Sequence, residues 1–169
     1  MRKLSFLSLF LCVLAATTIA QSPNFSGEWT ADVKRSRFDD KYAELVSMSM
    51  SVTHTPAEIK WYKSAKVKQT TAPFELSDRS GSDNYALDGK PHGNQLYPTL
   101  EVTNQGVVEG AKITITKNYE RKNALTNAVE SRTRSFIILE LIEEGKTLKV
   151  YRVDDGTAKP TEELYFARK

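Results

Sequence analysis

Cysteine is all but missing from this 169-residue sequence: Cys12 is the only one, and it stands inside an apolar N-terminal stretch. No disulfide is expected, so the fold must be held by its core alone. Charge of one sign is missing too. The formal balance is +3, from 24 basic and 21 acidic residues; without Arg2 and Lys3 of the N-terminal stretch, 22 basic residues remain and the balance is +1. Nucleic-acid binders carry a patch or stripe of Lys and Arg in clear excess, so no nucleic-acid partner is expected. Only two histidines occur, His54 and His92. Neither falls in a metal-ligand spacing or beside a carboxylate arranged for proton transfer. A Gly-x-Ser-x-Gly nucleophile elbow, a Gly-rich phosphate loop and a twelve-residue calcium loop are absent as well. These absences leave no constellation that names a reaction, a metal or a cofactor, and the chain reads as non-enzymatic.

What is present begins with Met1, Arg2 and Lys3, followed by an apolar stretch over residues 4–16 and then Thr17, Thr18, Ile19 and Ala20. Charge, apolar core and small residues in that order are the pattern of a secretory signal. The expectation is a signal peptide over 1–20, cleaved before Gln21, and a single domain over 21–169 that is periplasmic or secreted. The apolar stretch is shorter than the roughly 20 residues of a membrane span, so the mature chain is not expected to span a membrane by a helix. A domain of about 150 residues buries roughly 68–70% of its unfolded surface, enough to fold without cross-links.

Alternation with period two runs through the remainder. Phe25, Gly27, Trp29, Ala31 and Val33 share one face, with Ser26, Glu28, Thr30 and Asp32 on the other. Val46, Met48, Met50 and Val52 alternate with serines and a threonine, and Ile59 and Trp61 follow on a third strand. Residues 78–84 read as turn-rich, Asp88-Gly89 as a hairpin turn, and 90–103 as irregular because Pro91 and Pro98 interrupt it. Ile113, Ile115 and Tyr119 open a regular second half, which continues through a long strand over about 131–141 and a strand from Leu148 to Val153, and closes with Leu164, Phe166 and Arg168. Short strands with frequent turns and no helical periodicity predict an all-β fold. The expectation is a single antiparallel up-and-down β-barrel of about 8–10 strands, since closure removes exposed edges.

Phe25-Ser26-Gly27-Glu28-Trp29 just after the signal, Asp88-Gly89-Lys90, the run Glu144-Gly145-Lys146-Thr147-Leu148 and the aromatic final strand are similar to small exported bacterial lipocalin-like proteins. The resemblance covers essentially the whole mature chain through short motifs. It implies a lipocalin-like cup that encloses a small apolar ligand. It also implies barrel closure at Gly27 and Trp29, with Arg168 of the last strand over the Trp29 ring as a cation–π contact.

The expected function is therefore binding of a small hydrophobic or amphiphilic molecule in a central cavity. The lining expected from strand parity is Met48, Met50, Trp61, Ile113, Ile115, Leu148 and Val150, with Arg152 and Tyr119 as polar groups near the mouth. The alternative is a barrel with a filled interior that acts as a protein-binding or inhibitory module through its loops and outer surface.

Overall fold

The computed structural model describes residues 23–40, 43–70 and 76–169. The expected signal peptide over 1–20 and its cleavage site lie outside the described residues. Among the described residues ten strands form in chain order: β1 Gly27–Ala31, β2 Ala43–His54, β3 Glu58–Gln69, β4 Leu76–Ala86, β5 His92–Tyr97, β6 Leu100–Glu109, β7 Lys112–Lys122, β8 Val129–Ile142, β9 Thr147–Asp154 and β10 Glu162–Arg168. A 3-10 turn over Glu143–Gly145 joins β8 to β9.

All ten belong to one antiparallel sheet in the order β4-β3-β2-β1-β10-β9-β8-β7-β6-β5. The first and last strands lie side by side, with Trp29 opposite Arg168 and Ala31 opposite Phe166. Every chain-consecutive pair is hydrogen-bonded except β4 and β5, so one missing ladder separates this sheet from a barrel. The expected all-β, antiparallel, up-and-down meander is present; the expected closure is not.

The reason lies in the Asp88-Gly89 connection between β4 and β5. Leu87 donates its N–H to the Ala57 carbonyl at 2.8 Å, and Gly89 donates to the Gly106 carbonyl at 3.0 Å. Gln105 Nε2 returns a bond to the Gly89 carbonyl at 2.7 Å. Asp88-Gly89 does turn the chain, with Gly89 at φ 69°, but the turn is spent on the free edge of β6. Leu87, 8% exposed, is drawn into the core. Pro91, lacking an N–H, stands just before β5. The two sheet edges thus touch at one corner, where Gly106 lies against the end of β4, and do not pair along their length.

Residues 78–84 are strand, not turn. β4 pairs with β3 along its whole length, from Glu58 opposite Ala86 to Lys68 opposite Leu76. Turn-forming residues accept extended backbone when a long neighbour supplies the ladder, which is how tertiary context overrides propensity. The irregularity expected over 90–103 is a register shift between Gln95 and Tyr97 in the β5–β6 pair.

Curling brings the two halves of the sheet face to face. One cluster joins Met50, Val52, Ile59 and Trp61 from β2 and β3 to Ile113, Ile115, Leu139, Leu148, Leu164 and Phe166 from β7 to β10. Phe25 and Trp29 fill the end of this core and are fully buried. There Trp29 Nε1 donates to the Phe25 carbonyl at 3.1 Å, so its one polar atom is satisfied. Across the ring, the Arg168 guanidinium carbon is 4.6 Å from the centroid, and its Nη2 donates to the Asn24 carbonyl at 2.9 Å.

Candidate functional site

Following the inward parity along each strand shows where the concave face changes character. On β7 it reads Ile113, Ile115, Lys117, Tyr119; on β9, Leu148, Val150, Arg152, Asp154; on β10, from its end backwards, Phe166, Leu164, Glu162. β3 contributes Ile59, Trp61, Lys63 and β4 contributes Tyr85, Asp83. The register aligns these steps: Arg152 stands opposite Ile137 on one side and Glu162 on the other, and Trp61 stands opposite Asp83. An apolar base therefore meets a charged upper wall at one level of the curled sheet.

A cavity of about 170 Å³ lies at that level. Its apolar wall is Met50 and Trp61 from one half of the sheet and Ile137, Leu139, Val150, Leu164 and Phe166 from the other; its charged wall is Lys63, Asp83, Lys117, Arg152 and Glu162. Asp83 is the best-anchored of these. Trp61 Nε1 donates to Asp83 Oδ2 at 3.0 Å and the Tyr85 hydroxyl donates to Oδ1 at 2.9 Å. Lys117 Nζ stands 3.9 Å from the same Oδ1 and 5.0 Å from the Tyr85 ring centroid. Arg152 Nε donates to Asp154 Oδ1 at 3.0 Å.

The protonation equilibria bear the mark of this enclosure. Burial, reinforced by the Asp83 charge, raises the Tyr85 phenol well above its ordinary range and keeps it a neutral donor. Burial lowers the Lys117 ammonium; the Asp83 charge opposes that shift, and Lys63 and Arg152 add to it. Burial also raises the Glu162 carboxyl, against the attraction of Lys63 and Arg152. A carboxyl whose folded-state affinity for protons exceeds its unfolded one stabilises the fold fully at low pH and loses that contribution as pH rises through the folded value. Glu162→Gln keeps the shape and removes the charge. It is expected to raise the unfolding free energy at pH 7 by about 0.5–2 kcal/mol, the range common for stabilising surface and site changes, with little change near pH 3.5, where the carboxyl is mostly protonated in both states. Urea titrations at the two pH values measure this, and an equal effect at both would show that the charge is not what matters.

Of the lining residues expected from sequence, Met50, Trp61, Val150 and Arg152 border this cavity. Met48, Ile113, Ile115 and Leu148 are buried in the core and do not line it. Tyr119 does not border this cavity; with Arg132, Thr133 and Arg134 it lines more open grooves, one of which Arg152 and Asp154 also line. Gly27, Trp29 and Arg168 sit together at the far end of the core. Lys63, Asp83, Lys117 and Glu162 were not anticipated. Parity alone would have pointed to three of them, because Lys63 continues the Ile59–Trp61 face, Lys117 the Ile113–Ile115 face and Glu162 the Leu164–Phe166 face. Asp83 was hidden by the turn reading of β4.

Among the described residues no group of three or more His, Cys, Asp or Glu side chains could hold a metal ion, and no helix is long and apolar enough to cross a membrane. Comparisons of the chain with protein-family models, curated proteins and solved structures found no match.

Proposed function

We propose that this protein is an exported, periplasmic or secreted, non-enzymatic binding protein of lipocalin-like type, whose curled sheet holds a small amphiphilic molecule on its concave face. The observation that carries this reading is the cavity of about 170 Å³ with one apolar and one charged wall. Ligand sites combine such a hydrophobic lining with a few placed polar groups that set orientation. The volume limits the cargo. A dry cavity of about 150 Å³ accommodates benzene, whereas drug-sized ligands occupy about 300 Å³ or more. A long acyl chain does not fit, and a ligand with an apolar part near the size of one aromatic ring does. The Phe25 to Trp29 opening and the Trp29–Arg168 contact support the lipocalin-like comparison.

Native mass spectrometry of the protein purified from its own host, followed by denaturing extraction, tests this proposal. A stoichiometric small amphiphile is the expected result. A bare protein that also fails to bind single-ring aromatic probes at millimolar concentration would overturn it.

One observation favours a second reading, in which the outer surface contacts a protein. Large apolar side chains stand in solvent at two loop regions: Leu125 in the β7–β8 loop is 96% exposed, and Tyr97 at the end of β5 is 66% exposed. A bare interior together with loss of partner capture on Leu125→Ser and Tyr97→Ser replacement would favour that reading.

A further inference from the structure

We infer that His54 is an acid-sensitive latch at the Phe25–Trp29 end of the core: as a neutral ring it holds the segment ahead of β1 in place, and as an imidazolium it releases that segment. The inference does not depend on the ligand reading above.

His54 is the last residue of β2, and it meets residues 24–26 through both its backbone and its ring. Its N–H donates to Ser26 Oγ at 2.9 Å, and the Ser26 hydroxyl donates to the His54 carbonyl at 3.3 Å. The imidazole stands against the Phe25 ring at 5.3 Å between centroids and 81° between planes, an edge-to-face contact. Phe25 is fully buried. Its carbonyl accepts from Trp29 Nε1 at 3.1 Å, and the neighbouring Asn24 carbonyl accepts from Arg168 Nη2 at 2.9 Å. The segment that seals this end of the core therefore leans on the His54 ring.

That ring has no place for a second proton. Its Nε2 is sealed from solvent and has no hydrogen-bond partner among the described residues. A neutral imidazole forgoes one hydrogen bond there, whereas an imidazolium has a donor on each nitrogen and would bury its charge against hydrocarbon. The Phe25 ring attracts a cation only through its face and replaces neither water nor a carboxylate. No titratable side chain lies in Pro23–Ser26 or in the Thr55–Ala57 turn. The charged residues on the adjoining strands are Glu28 on β1, Glu58 and Lys60 on β3, and Arg168 at the end of β10. Glu58 and Lys60 pair with each other at 2.7 Å, and Arg168 is turned to the Trp29 ring. Burial is the one cause that lowers the proton affinity of His54, and none of these charges acts on it.

The sign follows from linkage. A group whose folded pKa lies below its unfolded one contributes stability that is complete above the unfolded value, about 6.5 for histidine, and is lost as pH falls towards and through the folded value. The loss begins at this end of the core, because the ring that charges is the one that Phe25 packs on.

A proton NMR titration of the whole protein tests the latch, with His92, exposed on β5, as the second imidazole signal. His54 is expected to titrate about half a unit or more below an unfolded-chain histidine, which corresponds to an unfolding constant that rises about threefold or more between about pH 7.5 and about pH 5. Urea titrations at the two pH values should show that extra rise in the unaltered protein and not in His54→Gln or His54→Phe. Hydrogen exchange locates the effect: protection of the residue-54 amide should fall at the lower pH while that of Leu139 in β8 holds, and His54→Phe should abolish the difference. A midpoint at or above that of an unfolded histidine would overturn the inference, and this measurement stands even where a variant fails to fold. Equal pH dependence in all three proteins would overturn it too. Protection lost equally at residues 54 and 139 would mean global unfolding in place of a latch.

Discussion

Trp29→Ala is expected to lower the unfolding free energy by about 3–5 kcal/mol, the range for removing a large aromatic side chain from a packed core. Trp29 is completely buried and forms one end of the cluster that joins the two halves of the sheet. Its removal leaves a cavity bounded by the paired first and last strands, which cannot collapse inward without breaking the Trp29–Arg168 and Ala31–Phe166 register. Two further losses come with the ring. The Phe25 carbonyl loses its donor at 3.1 Å, and the Arg168 guanidinium loses the face it stacks on at 4.6 Å. A cation–π contact is worth about 0.5–2 kcal/mol depending on desolvation, so Arg168→Ala should show only that smaller part. Chemical denaturation of the two variants measures both effects. A loss under about 1 kcal/mol for Trp29→Ala would be too small for a buried aromatic and would remove Trp29 from the core.

Gly106→Val is expected to be comparably damaging for a different reason. At Gly106 a Cβ would sit 2.3 Å from the Ala86 carbonyl oxygen, 3.0 Å from a Leu87 methyl and 3.2 Å from an Ile115 methyl. The first contact is with backbone, which cannot rotate away. Either the corner where β4 meets β6 opens or the strands shift, at a cost of at least about 1–3 kcal/mol for the overpacking alone. Opening the corner would also break the Gly89–Gly106 and Gln105–Gly89 bonds. Gly81 on β4 is the natural control. A Cβ there meets nothing within 4 Å and its backbone is not in the left-handed region, so Gly81→Ala should be neutral or slightly stabilising through the unfolded chain. Unfolding free energies compare the pair, and hydrogen exchange at the Gly89 amide reports on the corner directly. Equal stability of both variants would mean that the sheet is not held curled at Gly106.

Both predictions concern the means by which an open sheet keeps a concave face. A meander with two free edges could flatten; here the core at Trp29 and the corner at Gly106 hold it curled. The charged wall works against that stability. Lys117 and Glu162 are held where burial disfavours their charged forms.

Much of the architecture was legible as alternation. The inward set Phe25, Trp29, Met50, Val52, Ile59, Trp61, Ile113 and Ile115 followed from period two, because a half-buried strand must place every second side chain in the core. The cavity was legible only in part. Parity says which face Lys63, Lys117 and Glu162 occupy, but an inward charge reads equally as a rim position until the opposite wall is known.

Local patterning therefore decided the strand class, the antiparallel meander and the identity of most core residues, since each depends on neighbours within one strand or one hairpin. It also limited the chemistry, by providing no cysteine framework and no catalytic motif. Two features came only from contacts between distant parts of the chain. The edges of β4 and β5 stay unpaired because the Asp88-Gly89 turn bonds to β6, a competition between partners that no local pattern encodes. The cavity exists because curling sets Trp61, Lys63 and Asp83 across from Lys117, Arg152 and Glu162, residues that sequence separates widely and the sheet's curvature brings to one cavity.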